Sequence, residues 1–244
     1  MKEMTIRVFD FFSGCGGTTL GLKKAGMVPM FALDLNRDAT HTFERNFPGV
    51  LIKTMDIRDY PVEALDEIIA SIREDHTPIL FSGCAPCQPF TKQKTTRKNN
   101  DPRSTLLDHF RAFIARHRPD YIFIENVPGL QKIGKDGPLG RLLDWFKGQK
   151  YCYTSDILAS QDYGVPQQRH RFVLIASKLG HITLPSGSHG PERAYPYMTV
   201  RDAIGHFPPL AAGEEHPEIP SHRAARLSDI NLERIRATPP EKTR

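Results

Sequence analysis

Two cysteines follow an apolar run in the segment 81–91, which reads Phe-Ser-Gly-Cys-Ala-Pro-Cys-Gln-Pro-Phe-Thr. The apolar residues 79–81 predict a buried strand that ends in a loop. Pro86 and Pro89 restrict the backbone on both sides of Cys87, so its thiol should be held in one place. A fixed cysteine at the carboxyl end of a strand is a candidate nucleophile, although free cysteines also serve as small buried apolar residues.

Cys84 and Cys87 also form a Cys-x-x-Cys pair, a spacing that occurs in redox sites and in zinc sites. In a thioredoxin-type redox pair the first cysteine starts a helix, whereas Gln88 and Pro89 follow here. A zinc site needs two more ligands at suitable spacing, and the sequence does not supply them. We therefore disfavour a redox pair and predict no metal site, so that a catalytic cysteine and a buried packing cysteine remain as the two alternatives.

A second group of candidates lies in the turn 12–17, between a predicted strand at 6–12 and a predicted helix at 18–25. Its glycines would let a ligand approach the backbone, although the turn lacks the Gly-x-Gly-x-x-Gly spacing of a dinucleotide loop. Asp34 ends the next predicted strand, twenty residues after Gly14, where an acid can accept hydrogen bonds from ribose hydroxyls. A glycine turn that is packed tightly for its own sake remains the alternative.

Glu125 ends an apolar strand-like run, so part of its carboxyl should be desolvated and able to donate a hydrogen bond or a proton. A helix cap or a salt-bridge partner is the commoner role of an isolated glutamate. Arg169 and Arg171 alternate along an incoming strand and should point to the same side. Two guanidiniums on one side suit a carboxylate or a phosphate, and solvated surface arginines are the alternative.

Strands and helices are predicted to alternate up to residue 177, and this pattern is typical of a parallel sheet built from βαβ units. Such sheets bind ligands at the carboxyl ends of their strands. Five residues that could take part in binding or catalysis fall at those ends: Gly14, Asp34, Asp56, Cys87 and Glu125. After residue 178 prolines and histidines become frequent, the histidines lack metal spacing, and a short helix at 200–204 is the only predicted element. We therefore predict a catalytic and cofactor-binding domain at 1–178 and a separate Pro-rich region at 179–244.

The composition favours an intracellular, cytoplasmic protein. Four cysteines among 244 residues are too few for a disulfide framework, and no apolar run is long enough to span a membrane. The net charge of +5 is compatible with a nucleic-acid partner but does not require one. The basic segment 92–103 could close on a polyanion, or it could be an ordinary solvated loop.

Four segments, in this order, resemble the motifs of cytosine-C5 DNA methyltransferases of bacterial or phage type. They are Asp-Phe-Phe-Ser-Gly-Cys-Gly-Gly at 10–17, Pro-Cys-Gln-Pro-Phe-Thr at 86–91, Glu-Asn-Val at 125–127 and Gln-Gln-Arg-His-Arg at 167–171. The resemblance covers residues 5–177 almost continuously. It implies the α/β fold of S-adenosylmethionine-dependent methyltransferases, which is Rossmann-like: a mostly parallel twisted sheet with helices on both faces and a C-terminal antiparallel hairpin.

The resemblance implies S-adenosyl-L-methionine as the cofactor. It assigns the turn 12–17 to the adenosyl and methionine parts, Asp34 to the ribose hydroxyls, and Asp56 with Ile57 to the adenine. The cofactor-binding residues that it implies are Phe12, Gly14, Gly16, Gly17, Asp34, Asp56 and Ile57. Family members often have an aromatic residue after the ribose acid, whereas this chain has Leu35, so one stacking contact should be weaker.

The implied reaction is methyl transfer to C5 of a cytosine that is flipped out of double-stranded DNA, in a restriction-modification, phage or orphan modification system. Cys87 would add to C6 of the base, Glu125 would hold N3, and Arg169 and Arg171 would orient the base and the thiolate region. The implied DNA contacts are Gln88, Lys92, Lys94, Arg97 and Arg103.

The resemblance does not extend to the family's target-recognition region or to its last conserved helix. We therefore expect one part of a split or truncated enzyme, for which a second polypeptide could supply the missing regions. Two other functions fit the same residues. One is cytosine-C5 methylation of tRNA by a branch of the same family, and the other is binding of cofactor or DNA without catalysis.

Overall fold

The computed structural model describes residues 5–86, 105–129 and 137–238. The chain forms two compact units, Met1–Tyr197 and Met198–Arg244. The first unit contains, in chain order, β1 (Arg7–Phe11), α1 (Gly17–Lys24), β2 (Val28–Asp34), α2 (Arg37–Asn46), β3 (Leu51–Thr54), a 3-10 turn (Val62–Leu65), α3 (Asp66–Glu74), β4 (Ile79–Gly83), α4 (Leu106–His117), β5 (Tyr121–Asn126), α5 (Pro138–Gly148), β6 (Cys152–Ala159), a second 3-10 turn (Ser160–Tyr163) and β7 (His170–Ser177). The second unit contains α6 (Val200–Ile204) and α7 (Asp229–Ala237).

The strands of the first unit form a seven-stranded sheet in the order β3-β2-β1-β4-β5-β7-β6. The strands from β3 to β5 in this order are parallel, whereas β7 is antiparallel to both β5 and β6. The predicted mixed sheet with a final antiparallel hairpin is therefore confirmed. The chain leaves β1 towards β2 on one side and returns to β4 on the other, and ligands bind at such a reversal of strand order.

Aromatic rings fill the core beneath the central strands. Phe11 is fully buried, and its ring centroid lies 5.2 Å from that of Phe81 on β4. Phe110 and Phe113 of α4 pack on the same ring at 5.2 and 5.0 Å. Fully buried aromatic side chains contribute large apolar areas, so this contact holds α4 against β1 and β4. The carboxyl ends of these two strands are thereby held close together.

Two elements differ from the sequence-based expectation. The alternation of strands and helices predicts a helix at 62–72; in the structure this segment begins as the 3-10 turn Val62–Leu65 and becomes α-helical only at Asp66. The helix α7 was not expected, because it buries none of its side chains and so carries no apolar periodicity. The short helix α6 is confirmed, and Thr199 caps it in a reciprocal capping box with Asp202. Within the described ranges, no helix is both long and apolar enough to cross a membrane.

Candidate active site

A cavity of about 470 Å³ opens at the carboxyl ends of β1, β2 and β4. Four residues of the predicted cofactor set line it: Phe12, Asp34, Asp56 and Ile57. Leu35 also lines it and is 65% exposed, so this side chain is available to a ligand. The volume lies within the range that is usual for small-molecule and cofactor sites.

The glycine turn after β1 is held against the end of β2. The amides of Phe12 and Ser13 both donate to the carbonyl oxygen of Leu33, at 2.8 and 3.1 Å. Phe12 has a φ of 63°, a left-handed conformation that a non-glycine residue rarely adopts. Gly16 has a φ of 93°, and a Cβ atom there would lie 2.3 Å from the ring of Phe47. Glycine is therefore required at position 16 by backbone conformation and by packing together.

The carboxylate of Asp34 is fixed at the cavity wall by two backbone amides. Gly14 donates to Oδ2 at 2.8 Å, and Asn36 donates to Oδ1 at 2.8 Å. A carboxylate can accept about four hydrogen bonds, so each oxygen keeps acceptor capacity for a ligand. The glycine turn and the acid twenty residues later are therefore in direct contact.

A guanidinium holds the second cavity acid. Arg58 donates from Nε to Oδ1 of Asp56 at 2.9 Å and from Nη2 to Oδ2 at 2.6 Å. The amide of Arg58 also donates to Oδ1, at 2.9 Å. The hydrogen bonds from the Arg58 side chain are the main reason why the pKa of Asp56 lies below its ordinary value. Asp56 is therefore a fixed, ionised acceptor on this wall.

Glu125 and Arg171 meet across the antiparallel strands β5 and β7. Arg171 Nε lies 2.7 Å from Glu125 Oε1, and the glutamate side chain is one third exposed. Arg171 also donates from Nη1 to the carbonyl oxygen of His170 at 2.8 Å. Arg169 lies just before β7, is exposed, and makes no ion pair with Glu125 among the described residues. The structure therefore joins one of the two predicted arginines to the predicted acid.

The segment that leads to Cys87 is anchored from two directions. Asn126 is buried and donates from Nδ2 to the carbonyl oxygen of Ala85 at 3.0 Å. The Sγ atom of Cys84 lies 3.6 Å from Oγ1 of Thr18. Burial raises the pKa of Cys84 to about 12, so this thiol stays protonated at neutral pH and is a poor nucleophile.

Asp10 is a buried acid that the sequence-based reasoning did not single out. Burial raises its pKa to about 6, and the hydroxyl of Thr19 partly offsets this shift by donating to Oδ2 at 2.5 Å. Ser82 lies at the paired position of β4, and its hydroxyl lowers the pKa of Asp10 without reaching hydrogen-bond geometry. The only signal in the sequence was an acid inside an aromatic strand.

Six of the predicted site residues lie outside the described residues: Cys87, Gln88, Lys92, Lys94, Arg97 and Arg103. Gly17 is the first residue of α1, directly after the turn. In the part of the chain that the structure describes, no group of three or more His, Cys, Asp or Glu side chains could hold a metal ion. Asn126, Arg58 and Asp10 are the site residues that the sequence-based reasoning missed.

Comparison with known proteins gives consistent results. A family model described as C-5 cytosine-specific DNA methylase matches residues 6–230. The Type II methylase M.HgiDII of Herpetosiphon aurantiacus is 31% identical over 97% of this chain and 64% of its own length. The Type II methyltransferase M.AquIA of Picosynechococcus is 26% identical over 96% of this chain and 98% of its own length. The chain thus spans less than two thirds of the first relative and almost all of the second.

One solved structure extends the comparison to three dimensions. The crystal structure of a prophage-encoded protein of E. coli, described as a DNA modification methyltransferase, aligns with a TM-score of 0.68. It is 27% identical, and the alignment covers 86% of this chain and 57% of that protein. The fold of this chain therefore has a counterpart in an experimental structure.

Proposed function

Because the chain belongs to the C-5 cytosine-specific DNA methylase family, we propose that it is the catalytic and cofactor-binding part of a DNA (cytosine-5-)-methyltransferase. Its fold is that of the S-adenosylmethionine-dependent methyltransferases. The observation that carries the proposal is the ion pair between Glu125 and Arg171 at the same sheet edge as the anchored segment 84–86. Glu125, the Arg171 side chain that orients it and the segment that precedes Cys87 are thereby brought together.

The residues of the cavity fit S-adenosylmethionine. Asp34 keeps acceptor capacity for ribose hydroxyls, and Phe12 with the glycine turn would contact the adenosyl and methionine parts. Asp56 accepts and the amide of Ile57 can donate, which suits the edge of an adenine. When bound there, the cofactor supplies an electrophilic methyl group. Gly14, Gly16 and Gly17 belong to the same proposed set, because they shape the turn.

The chemistry explains the remaining residue types. Cytosine C5 is a weak nucleophile, so Cys87 adds as a thiolate to C6 and makes C5 electron-rich. Glu125 holds N3 and offsets the charge that develops there, and Arg171 keeps its carboxyl in place. After C5 is methylated, its proton leaves, the bond between C6 and sulfur breaks, and Cys87 is released. Arg169 would assist by orienting the base.

The DNA-facing part of the proposal rests on the basic segment that follows Cys87. Gln88, Lys92, Lys94, Arg97 and Arg103 would contact the DNA, since cationic side chains pair with phosphates. The target base must leave the stack before Cys87 can reach C6, at a cost of a few kcal/mol that these contacts would offset. Double-stranded DNA is therefore the proposed substrate. The proposed setting is a Type II restriction-modification system of the cytoplasm.

The proposed division of labour follows the chain. Residues 1–178 would carry catalysis and cofactor binding, and residues 179–244 would lead into target recognition. A second polypeptide would supply target recognition and the last conserved helix.

Transfer of labelled methyl groups by the purified chain tests the function. We expect slow transfer to duplex DNA, none to tRNA, and complete loss in Cys87→Ser with unchanged cofactor binding. Transfer that survives Cys87→Ser, or transfer to tRNA alone, would contradict the proposal. Cofactor binding without any Cys87-dependent reaction, even at high DNA concentration, would instead indicate a non-catalytic binding protein.

A further inference from the structure

The ion pair between Asp56 and Arg58 at one wall of the cavity leaves the Asp56 carboxylate with a limited number of free acceptor positions. Asp56 Oδ1 accepts two hydrogen bonds, from the amide and from Nε of Arg58, at 2.9 Å each. Oδ2 accepts one, from Nη2 at 2.6 Å. Because a carboxylate offers about two acceptor positions on each oxygen, one position on Oδ2 remains. The side chain of Asp56 is 11% exposed, so few directions lead to that position.

The neighbouring backbone supplies the complementary group. The amide of Ile57 donates to no protein acceptor within the described ranges, and Ile57 lines the cavity beside Asp56. The wall therefore offers one fixed acceptor next to one free donor. An adenine edge presents the matching pair, with a donating amine at C6 and an accepting nitrogen at N1. A 6-oxopurine presents the reverse pair, an accepting oxygen and an N–H group.

We propose that Arg58 sets the purine preference of this cavity, because it clamps Asp56 so that a single acceptor position faces the ligand. The proposal rests on the proposed function, which places an adenosyl group in the cavity. Arg58 acts through Asp56 and is a positioning residue. With the clamp in place, a 6-oxopurine sets its oxygen against the carboxylate and its N–H against the Ile57 amide, and two buried polar contacts are unpaired.

Loss of the clamp should change selectivity more than stability. An unclamped Asp56 can rotate away from the ligand, so it no longer holds an amine and no longer repels an oxygen. The side chain of Arg58 is 41% exposed, and exposed ion pairs contribute little to folding. Lysine at this position could keep one charged hydrogen bond but not the planar two-pronged contact.

Binding measurements with two ligands test this inference. The ligands are S-adenosylhomocysteine and its 6-oxo counterpart, S-inosylhomocysteine, titrated calorimetrically into the wild type, Arg58→Met and Arg58→Lys. We expect the wild type to prefer the adenosyl ligand by about tenfold or more. Arg58→Met should lose most of that preference, and Arg58→Lys should retain part of it.

The chain offers a matched control in Arg116, which makes the same two-pronged contact with Asp66 outside the cavity, with Nε to Oδ1 at 2.7 Å. Arg116→Met should keep the full preference of the wild type. The inference is wrong if folded Arg58→Met retains the preference, or if Arg116→Met loses as much of it. A wild type that binds neither ligand would instead overturn the proposed function.

Discussion

Arg171 on β7 and Glu125 on β5 form an ion pair with 2.7 Å between Nε and Oε1. The two residues are 46 positions apart in the sequence, and the antiparallel pairing of their strands brings them together. A carboxylate that is gripped on one oxygen presents the other oxygen in a fixed direction. The ion pair therefore fixes the direction in which Glu125 would face N3 of the base in the proposed reaction.

Replacing Arg171 should separate catalysis from cofactor binding. In Arg171→Met the Glu125 carboxylate loses its partner, so we expect the rate of adduct formation with DNA to fall by about 10²-fold or more. Cofactor affinity should stay unchanged, since Arg171 is not among the residues that line the cavity. Arg171→Lys should recover part of the rate. Equal losses of adduct formation and cofactor binding would point to misfolding rather than to a positioning role.

Asn126 should matter for the segment that precedes Cys87. Its Nδ2 donates to the carbonyl oxygen of Ala85 at 3.0 Å, so Asn126→Asp replaces a donor with an acceptor of the same shape. We expect a loss of about 1–3 kcal/mol in the free energy of unfolding, together with slower adduct formation. The measurements are denaturant titration and rapid-quench kinetics on the same preparation.

Asp120 provides the control at the opposite end of the same two strands. Its Oδ2 accepts from the amide of Ile79 at 2.8 Å, at the start of β4. Asp120→Asn should cost stability without slowing adduct formation. If both substitutions slow the reaction in proportion to their loss of stability, Asn126 has no specific role in positioning the segment.

The buried carboxyl of Asp10 should make the free energy of unfolding depend on pH. Its pKa in the folded protein is about 6, compared with 3.8 for an ordinary aspartate, because the side chain is buried. The folded state therefore binds more protons than the unfolded state, and the contribution of Asp10 to stability falls as pH rises from about 4 to above 6. The shift corresponds to about 3 kcal/mol.

Asp10→Asn removes this dependence, since asparagine does not titrate. The difference in free energy of unfolding between Asp10→Asn and the wild type should shift in favour of the variant between pH 4 and pH 7. Urea titrations at half-unit pH steps measure it. Parallel pH profiles for the two proteins would show that Asp10 does not titrate in this interval.

Replacing each of two adjacent glycines, Gly16 and Gly17, with alanine should have different effects on stability. A Cβ atom at Gly16 meets the ring of Phe47 at 2.3 Å and the backbone has a positive φ, whereas a Cβ atom at Gly17 meets nothing within 4 Å. Gly16→Ala should lower the free energy of unfolding by about 1–3 kcal/mol. Gly17→Ala should leave stability unchanged or improve it, because alanine favours the helix α1.

Cofactor titration of Gly17→Ala then tests the assignment of that residue. If Gly17 is needed for close approach of the ligand, its alanine variant should bind S-adenosylmethionine more weakly while remaining fully folded. Unchanged binding would remove Gly17 from the proposed cofactor set. Gly16→Ala cannot make this distinction, because packing and binding change together there.

Site residues that lie at the ends of strands were predictable from the sequence. Asp34 and Glu125 end apolar strands, and the parallel sheet places Asp34 on the cavity wall. The contacts between side chains were not predictable, because they depend on which way a polar group turns after the strand ends. The sequence does not signal the role of Asn126 as an anchor, which follows from its hydrogen bond to the carbonyl oxygen of Ala85.

Local backbone geometry set a second limit on prediction. Phe12 adopts a left-handed conformation between the strand and the glycines, and no residue pattern signals this for phenylalanine. The clamp between Arg58 and Asp56 spans two residues in a turn, where no periodicity applies. The helix α7 escaped prediction for a related reason, since it buries no side chain.

The central claim is that Cys87, and not Cys84, attacks the base. Covalent trapping with duplex DNA that carries 5-fluorocytosine tests it most directly, because fluorine cannot leave C5 as the proton does. With S-adenosylmethionine present, we predict a denaturation-resistant adduct in the wild type and in Cys84→Ala, and its absence in Cys87→Ser. Peptide mapping should place the DNA on Cys87. An adduct that maps to Cys84 or persists in Cys87→Ser would contradict the account.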